Sequence, residues 1–386
     1  MKMIAIIQFI FLIFMNLNCR ANQDVEQEQE QEKQSVSPVH IQVQYLSDLL
    51  YNMHGGIKTG GAYMGLINLS FALNLADAGL WKGSDIKVQL FNTHGGMASA
   101  DYIGDWQVVS NIENINGTWL YEAWIRQTVG KLSMLAGIHD INNHFFASAN
   151  GAEFSNSSFG ISPTLTLNVP VSTFPVNSLG ILAQYQLSDQ LAISTGLYDG
   201  QPGCLEDDPY NVSFEIKKEE SYFWVNEIMI NDFLSKSMPG TIKIGFVIHG
   251  GRFPHLVDSM QSVTQTTAFH LLIDQTILHK SLQSFLQLGL APGNGQINTA
   301  YCGGGLSFTG LLREEDLMGA GFAWARMSDL IPIKCLKHEI DFELFYRFHL
   351  NSHFSFQPNV HYIVNPGIER NNKNALAAAL RFQMLF

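Results

Sequence analysis

Leu376, Ala378, Leu380, Phe382, Met384 and the terminal Phe386 share one parity, while Arg381 and Gln383 occupy the other. Successive side chains of a β-strand point to opposite faces, so the chain ends on a strand with one apolar and one polar side. A sandwich core does not bury groups like Arg381 and Gln383 without partners. They fit a strand that meets hydrocarbon on one side and water on the other. The fold class this implies is all-β, a closed antiparallel transmembrane β-barrel whose last strand ends at Phe386.

The same period of two recurs upstream. Ile86, Val88 and Leu90 alternate with Lys87 and Gln89, and Leu132, Met134, Ala136 and Ile138 alternate with Lys131, Ser133, Gly137 and His139. Ile242, Ile244, Phe246 and Ile248 repeat the pattern against Lys243, Gly245 and His249. A hairpin stands out near the end. Phe342, Leu344, Tyr346, Phe348 and Leu350 oppose Asp341, Glu343, Arg347 and His349. Asn351 and Ser352 then turn the chain into Phe354, Phe356, Val360, Tyr362 and Val364, opposed by Ser355, Gln357, Asn359 and His361. Pro358 lacks an N–H and predicts a bulge or an irregular pairing in this strand. With Phe386 in the periplasm, Asn351–Ser352 is a short periplasmic turn and the polar stretch from Asn365 to Asn374 is extracellular. At roughly 18 residues per strand, length alone allows about fourteen to twenty strands.

Charged residues make up 15% of the chain and hydrophobic ones 46%. An ordinary soluble domain carries about 25% charged residues, and a barrel explains the deficit by facing alternate residues to lipid. A net charge of −12 argues against nucleic acid as a partner. Lys2, the apolar run from Phe9 to Met15 and Ala21 after Cys19 predict a signal peptide over residues 1–21. That run is too short to span a bilayer as a helix. Residues 22–39, with Glu26 to Gln31 alternating Glu and Gln, read as a disordered acidic, Gln-rich tail, and residues 40–386 as the barrel. Export leaves Cys204, Cys302 and Cys335; a Cys204–Cys302 bond is one pairing the sequence allows but does not assign. No metal-ligand spacing and no cofactor motif is present.

Several local motifs keep a common order from about Tyr45 to Phe386. They include Asn52-Met53-His54-Gly55-Gly56, Asp101-Tyr102-Ile103-Gly104-Asp105 and Val109-Ser110-Asn111-Ile112-Glu113. Leu120 to Trp124, Ala136 to Asn142, Phe154 to Ile161 and Gly196 to Gly200 follow. Tyr301 to Leu306, the Asp316 region, Glu339, Glu343, Tyr346, Gln357 to Tyr362 and Asn365-Pro366-Gly367 complete the set. In these the chain resembles the carbohydrate-selective porin family of Gram-negative outer membranes. The resemblance implies a sixteen-stranded barrel that admits small carbohydrates, monosaccharides such as glucose, by passive diffusion. Cys204, Cys302 and the acidic repeat depart from the pattern. Alternatives with the same fold are a general small-solute porin and a sugar-binding surface barrel with a blocked lumen.

Selection in a wet pore comes from its width, wall charge and weak multi-site binding. If Tyr121, Ala123 and Ile125 meet lipid, Glu122, Trp124 and Arg126 face the lumen, offering a carboxylate, a stacking face and a guanidinium to a sugar. The opposite parity would place Trp124 at the membrane interface. Lys87, Asp140, Glu343, Arg347 and Arg381 are further lumen candidates, with ion pairing along the wall as their competing role. Glu314-Glu315-Asp316 reads as a loop or strand end. His139-Asp140 lacks the positioned nucleophile of a triad, and Glu122 with Asp140 would imitate a glycosidase pair only at a separation the sequence does not give. The chain reads as no enzyme. Expected partners are small sugars, outer-membrane lipid, and the periplasmic chaperones and barrel-assembly machinery that would read Phe382, Met384 and Phe386. A homotrimer is an open alternative to a monomer, and transport of ions would accompany that of sugars.

Overall fold

The computed structural model describes residues 37–203, 205–214, 221–258, 260–278, 281–331 and 335–386. The expected signal peptide, the tail up to residue 36 and Cys204 of the Cys204–Cys302 pairing lie outside the described residues. Sixteen antiparallel strands close into one barrel. In chain order they are β1 (Val39–Gly56), β2 (Gly60–Asn74), β3 (Ser84–Gly95), β4 (Gly117–Val129), β5 (Leu132–Ile138), β6 (Leu179–Gln186), β7 (Leu191–Asp199) and β8 (Tyr222–Asn231). The second half comprises β9 (Gly240–His249), β10 (Thr266–Leu278), β11 (Leu282–Leu290), β12 (Asn298–Thr309), β13 (Leu317–Met327), β14 (His338–His349), β15 (Phe354–Val364) and β16 (Lys373–Leu385). Sequence neighbours pair throughout, and β16 returns to β1. At that seam Val43 N–H donates to the Phe386 carbonyl at 2.9 Å and Phe386 N–H to the Val43 carbonyl at 2.8 Å.

Alternation sorts the side chains as the pattern demands. Phe342, Leu344, Val360, Tyr362 and Phe382 are exposed on the outer wall, whereas Asp341, Glu343, Gln357, Asn359, His361 and Arg381 are buried inside. Connections at the end that carries Phe386 are short, such as 130–131 and 350–353. Those at the opposite end include 96–116 and 139–178, and both of these fold back into the lumen.

Two local features refine the expected strands. At Pro358 the β14–β15 ladder runs from Phe345↔Asn359 to Phe348↔Phe356 with the pairs between them missing and the register unchanged. The disturbance is therefore an interruption and not a bulge, because only the N–H is lost. Tyr121, expected to meet lipid, instead faces the lumen. The register slips where Gln89↔Glu122 is followed by Leu90↔Leu120, so a bulge turns Tyr121 and Glu122 to the same side. Tyr121 stacks on Phe91 with ring centroids 3.8 Å apart. Ile125 is exposed on the outer face, as its parity requires.

The wall is low over β5, which has 7 residues against 18 in β1. Pairing of β4 with β5 stops at Ala123↔Ile138, so the far half of β4, still paired with β3, has no strand on its other side. Two side chains and one backbone carbonyl close that gap. Asn177 Nδ2 donates to the Tyr121 carbonyl at 2.7 Å, Asn211 Nδ2 to the Leu120 carbonyl at 3.0 Å, and Leu120 N–H to the Tyr210 carbonyl at 2.9 Å. Phe214 packs outside against Val88, Leu120, Ala123 and Ile138.

Inside, the segment 139–178 carries its own apolar core. Ile141, Phe145, Phe146, Ile161 and Leu165 pack with inward residues of the wall, among them Trp124, Leu182 and Val225. Gly137 lets the β4 backbone at Ala123 and Trp124 approach β5 closely. A Cβ at Gly137, whose φ is +143°, would stand 2.2 Å from the Ala123 carbonyl oxygen and 2.6 Å from Trp124 Cα. Gly137→Ala is expected to destabilise the barrel by about 1–3 kcal/mol, read as a lower temperature for loss of the folded band on semi-native gels.

Candidate functional site

Buried carboxylates on the inner wall hold both inserted segments by their backbone amides. Glu339 accepts from Trp106 N–H (3.0 and 3.1 Å), Gln107 N–H (3.0 Å) and Gly367 N–H (2.6 Å). Arg381 binds Asp48 in a two-pronged pair at 2.8 and 2.7 Å, and its Nη2 also donates to Asn111 Oδ1 at 2.8 Å. Asp48 in turn accepts from Ser110 Oγ at 2.6 Å. A carboxylate that takes several N–H donors is well suited to a dry site, since each otherwise orphaned amide gains a charged acceptor.

The longer segment is fastened all along its path. Glu122 accepts from Asp140 N–H and Asn143 Nδ2, each at 2.9 Å, and forms a short ion pair with Lys87. Glu227 accepts from Phe146 N–H at 3.0 Å, while Lys243 Nζ donates to the Ala147 carbonyl at 2.8 Å. Asp274 takes Ser148 Oγ at 2.6 Å and Ala149 N–H at 3.1 Å. Farther on, Glu343 accepts from Ser155 N–H (2.8 Å), Ser155 Oγ (2.9 Å) and Asn156 N–H (3.0 Å). Arg347 donates to the Glu153 carbonyl at 2.8 Å and to Gln357 Oε1 at 2.7 Å, and forms a short pair with the Glu153 carboxylate.

Every lumen candidate named from the sequence lies on the inner wall or on an inserted segment, but they do not form one cluster. Lys87 and Glu122 are 1% and 0% exposed at their side chains, so the pair is sealed beneath the segment it anchors. Arg126 stacks on Trp124 with its guanidinium carbon 4.7 Å from the ring centroid, and both are buried. Asp140 receives Asn142 N–H at 2.8 Å and the Tyr121 hydroxyl. Glu343 and Arg347 lie across the barrel on β14, and Arg381 on β16. Glu314 and Glu315 are exposed in the turn before β13, while Asp316 is buried and accepts from Tyr346 Oη at 3.0 Å.

Asp341, His361 and Ser155 stand in the order of a nucleophilic triad, with Nδ1 of His361 2.8 Å from Asp341 and Nε2 3.1 Å from Ser155 Oγ. Ser155 is 1% exposed, its hydroxyl donates to Glu343, and it accepts from Asn359 Nδ2 at 2.9 Å. Ser155 is thus committed to holding the segment and presents no reachable oxygen to a substrate.

Asp48, Glu227 and Asp274, each a wall anchor, were not singled out by sequence reasoning. The signal for them was available: Glu227 and Asp274 are lone acids on the inward parity of apolar strands. Groups left open to the lumen are fewer, and they include the exposed carboxamides of Asn111 and Asn143, each held by a wall charge. Asp105, on the inserted segment 96–116, is buried, and burial together with the nearby Asp341 and Glu113 carboxylates pushes its carboxyl up to about 7.

A sequence model of the family described as "Carbohydrate-selective porin, OprB family" matches residues 58–386. By fold, the chain is similar to OprB of Pseudomonas putida in its high-pH structure, with a TM-score of 0.83, 19% identity, and coverage of 90% of this chain and 94% of that one. The low-pH structure of the same protein aligns with a TM-score of 0.59 at 15% identity, covering 90% and 93%. The Vibrio cholerae outer membrane protein OmpT lacking loop L8 aligns with a TM-score of 0.54 at 7% identity, covering 90% and 99%. No curated protein matches by sequence.

Glu343→Ala strips the acceptor from two backbone amides and a hydroxyl. It is expected to cost about 2–4 kcal/mol and to free the segment around Ser155, read as new protease cleavage there and noisier single-channel current. Asp105 supplies a pH signature. Its carboxyl sits at about 7 when folded against an ordinary 3.8, so its contribution to stability is complete below 3.8 and is lost as pH rises through 7. The unfolding temperature of the wild type should therefore fall between about pH 4 and about pH 7, and Asp105→Asn should flatten that part of the curve.

Proposed function

The chain belongs to the OprB family of carbohydrate-selective porins, and on that premise we propose that monosaccharides such as glucose are the solutes it passes. The protein is a sugar-selective outer-membrane channel, and its family and fold point to a channel rather than an enzyme. One observation carries the finer reading. Two segments occupy the lumen and are fastened by buried wall acids, so the route is narrower than the barrel itself. Passage is diffusive, down the sugar's gradient, with small ions following the same water.

Within that route the fixed charges and the sugar-facing groups are different residues. Lys87, Glu122, Asp140, Glu343 and Arg381 set the position of the inserted segments, with Trp124 and Arg126 stacked behind them. Asn111, Asn143 and the partly exposed Arg347 guanidinium offer hydroxyl-binding groups to the solute. Carboxamides that both donate and accept suit neutral hydroxyls, and weak contacts at several points let the sugar leave.

The chain is exported by a signal peptide cleaved after residue 21, and the outward row of Phe382, Met384 and Phe386 is read by periplasmic chaperones and the barrel-assembly machinery. Copies associate, as a homotrimer, along the wall at β7 and β8. Support comes from a polar group of side chains on its outer face: Thr195 Oγ1 donates to Asn226 Oδ1 at 2.9 Å and accepts from Trp224 Nε1 at 3.0 Å. Such groups are better placed against protein than against hydrocarbon.

Swelling of liposomes that contain the purified protein tests the reading. Monosaccharides should enter faster than amino acids of matched size. Entry ranked by size alone would reduce the protein to a general porin, and absence of swelling would sink the open channel.

A further inference from the structure

A row of carboxamides on the inner wall is tied to no inserted segment. Gln44 on β1, Asn68 on β2 and Gln89 on β3 share the inward parity of Asp48, Leu66 and Lys87. The register sets Gln44 opposite Asn68, with Gln89 one step away beside Ser70, near the end that carries Phe386. Gln42 and Gln383, inward on β1 and β16, flank the row. We propose that it is a second sugar-contacting station, which bonds the hydroxyls of a monosaccharide as it leaves the narrowed part of the lumen. The proposal deepens the monosaccharide reading above and rests on it.

The bonding within the row is the first reason. Gln89 Nε2 donates to Asn68 Oδ1 at 2.8 Å, and Asn68 Nδ2 donates to Gln44 Oε1 at 3.3 Å. The three amides point head to tail, an order in which each bond polarises the next. The row ends on Gln44 Nε2, whose N–H groups meet no acceptor among the described residues. The side chains of Gln42 and Gln383 likewise bond none of the described residues. Gln42, Gln44, Asn68 and Gln383 are only half-buried, so a solute hydroxyl reaches them. A carboxamide both donates and accepts, which matches a neutral hydroxyl.

Position is the second. Other carboxamides of the inner wall are spent as its acids are. Gln287 donates to the Phe159 carbonyl at 2.7 Å and Asn359 to Ser155 Oγ at 2.9 Å, and both acceptors belong to the segment 139–178. On the side of the row away from Phe386, Leu46, Leu66 and Phe91 of the same strands pack with Ala98, Val109 and Ile112 of the segment 96–116. The row therefore begins where that packing ends, on the way out of the narrowed lumen. Weak stations in series hold a neutral solute and still let it go.

Single-channel recording of the full-length protein in planar bilayers tests it, with glucose added to each side in turn. Glucose should interrupt the ion current saturably. Gln44→Met combined with Asn68→Leu keeps side-chain volume and removes two amides. That pair should raise the half-saturating glucose concentration by about three- to tenfold. Gln44→Met alone, at the half-buried end of the row, should raise it by about two- to threefold. Current in salt alone should stay as in the wild type, and so should liposome swelling with a polyethylene glycol of glucose size, since neither charge nor width has changed. Half-saturation unchanged in both variants, or a change matched by the polyethylene glycol, would overturn the proposal. Wild-type liposomes that glucose does not enter would sink the monosaccharide reading itself, and the proposal with it.

Discussion

A sheet that crosses hydrocarbon has nowhere to leave an unpaired backbone group, and each free N–H or C=O there costs several kcal/mol. Closure of β16 onto β1 is therefore the condition on which the remaining structure depends. The reciprocal bonds between Val43 and Phe386 complete it at the last residue of the chain. Once the ring is shut, outward positions are committed to lipid and inward ones to the lumen. Any polar group on the inner wall must then find water, a neighbour or an inserted segment.

This protein uses the third option extensively. Glu122, Glu227, Asp274, Glu339 and Glu343 all face inward and all take backbone N–H donors from inserted segments. A negative wall thus serves as a template for irregular backbone, satisfying amides that no strand could reach. Apolar residues of the same segments pack on the wall between these points, so the lumen narrows around short helical turns such as Ser99–Ile103 and Pro163–Thr166. Charges that look from the sequence like a lining for solute are mostly spent on holding the protein's own chain.

Much of the barrel was legible because period two is a local property. Leu376 to Phe386, Phe342 to Leu350 and Leu132 to Ile138 declare their faces without knowledge of any partner strand. Tyr121 escaped that logic, since its direction follows from a slip against β3 that only the pairing defines. The family resemblance, not strand arithmetic, supplied the number sixteen. For the lumen, residue types and inward parity could be read for Glu343, Arg347 and Arg381. Their commitments could not, because the partners Ser155, Glu153 and Asp48 are far away in sequence and the contacts arise only when long segments fold back.

That distance gives the lumen a history. The segment 96–116 is made early, yet Glu339 and Arg381, which fix it, belong to the last strands to be synthesised. Ser155 likewise waits for Glu343 and His361. Long-range contacts form only after the intervening chain has been ordered. The lumen is consequently finished in stages: Glu122 and Glu227 can hold the longer segment while the barrel is half built, and the ties to Glu339, Glu343 and Arg381 close only as the final strands dock.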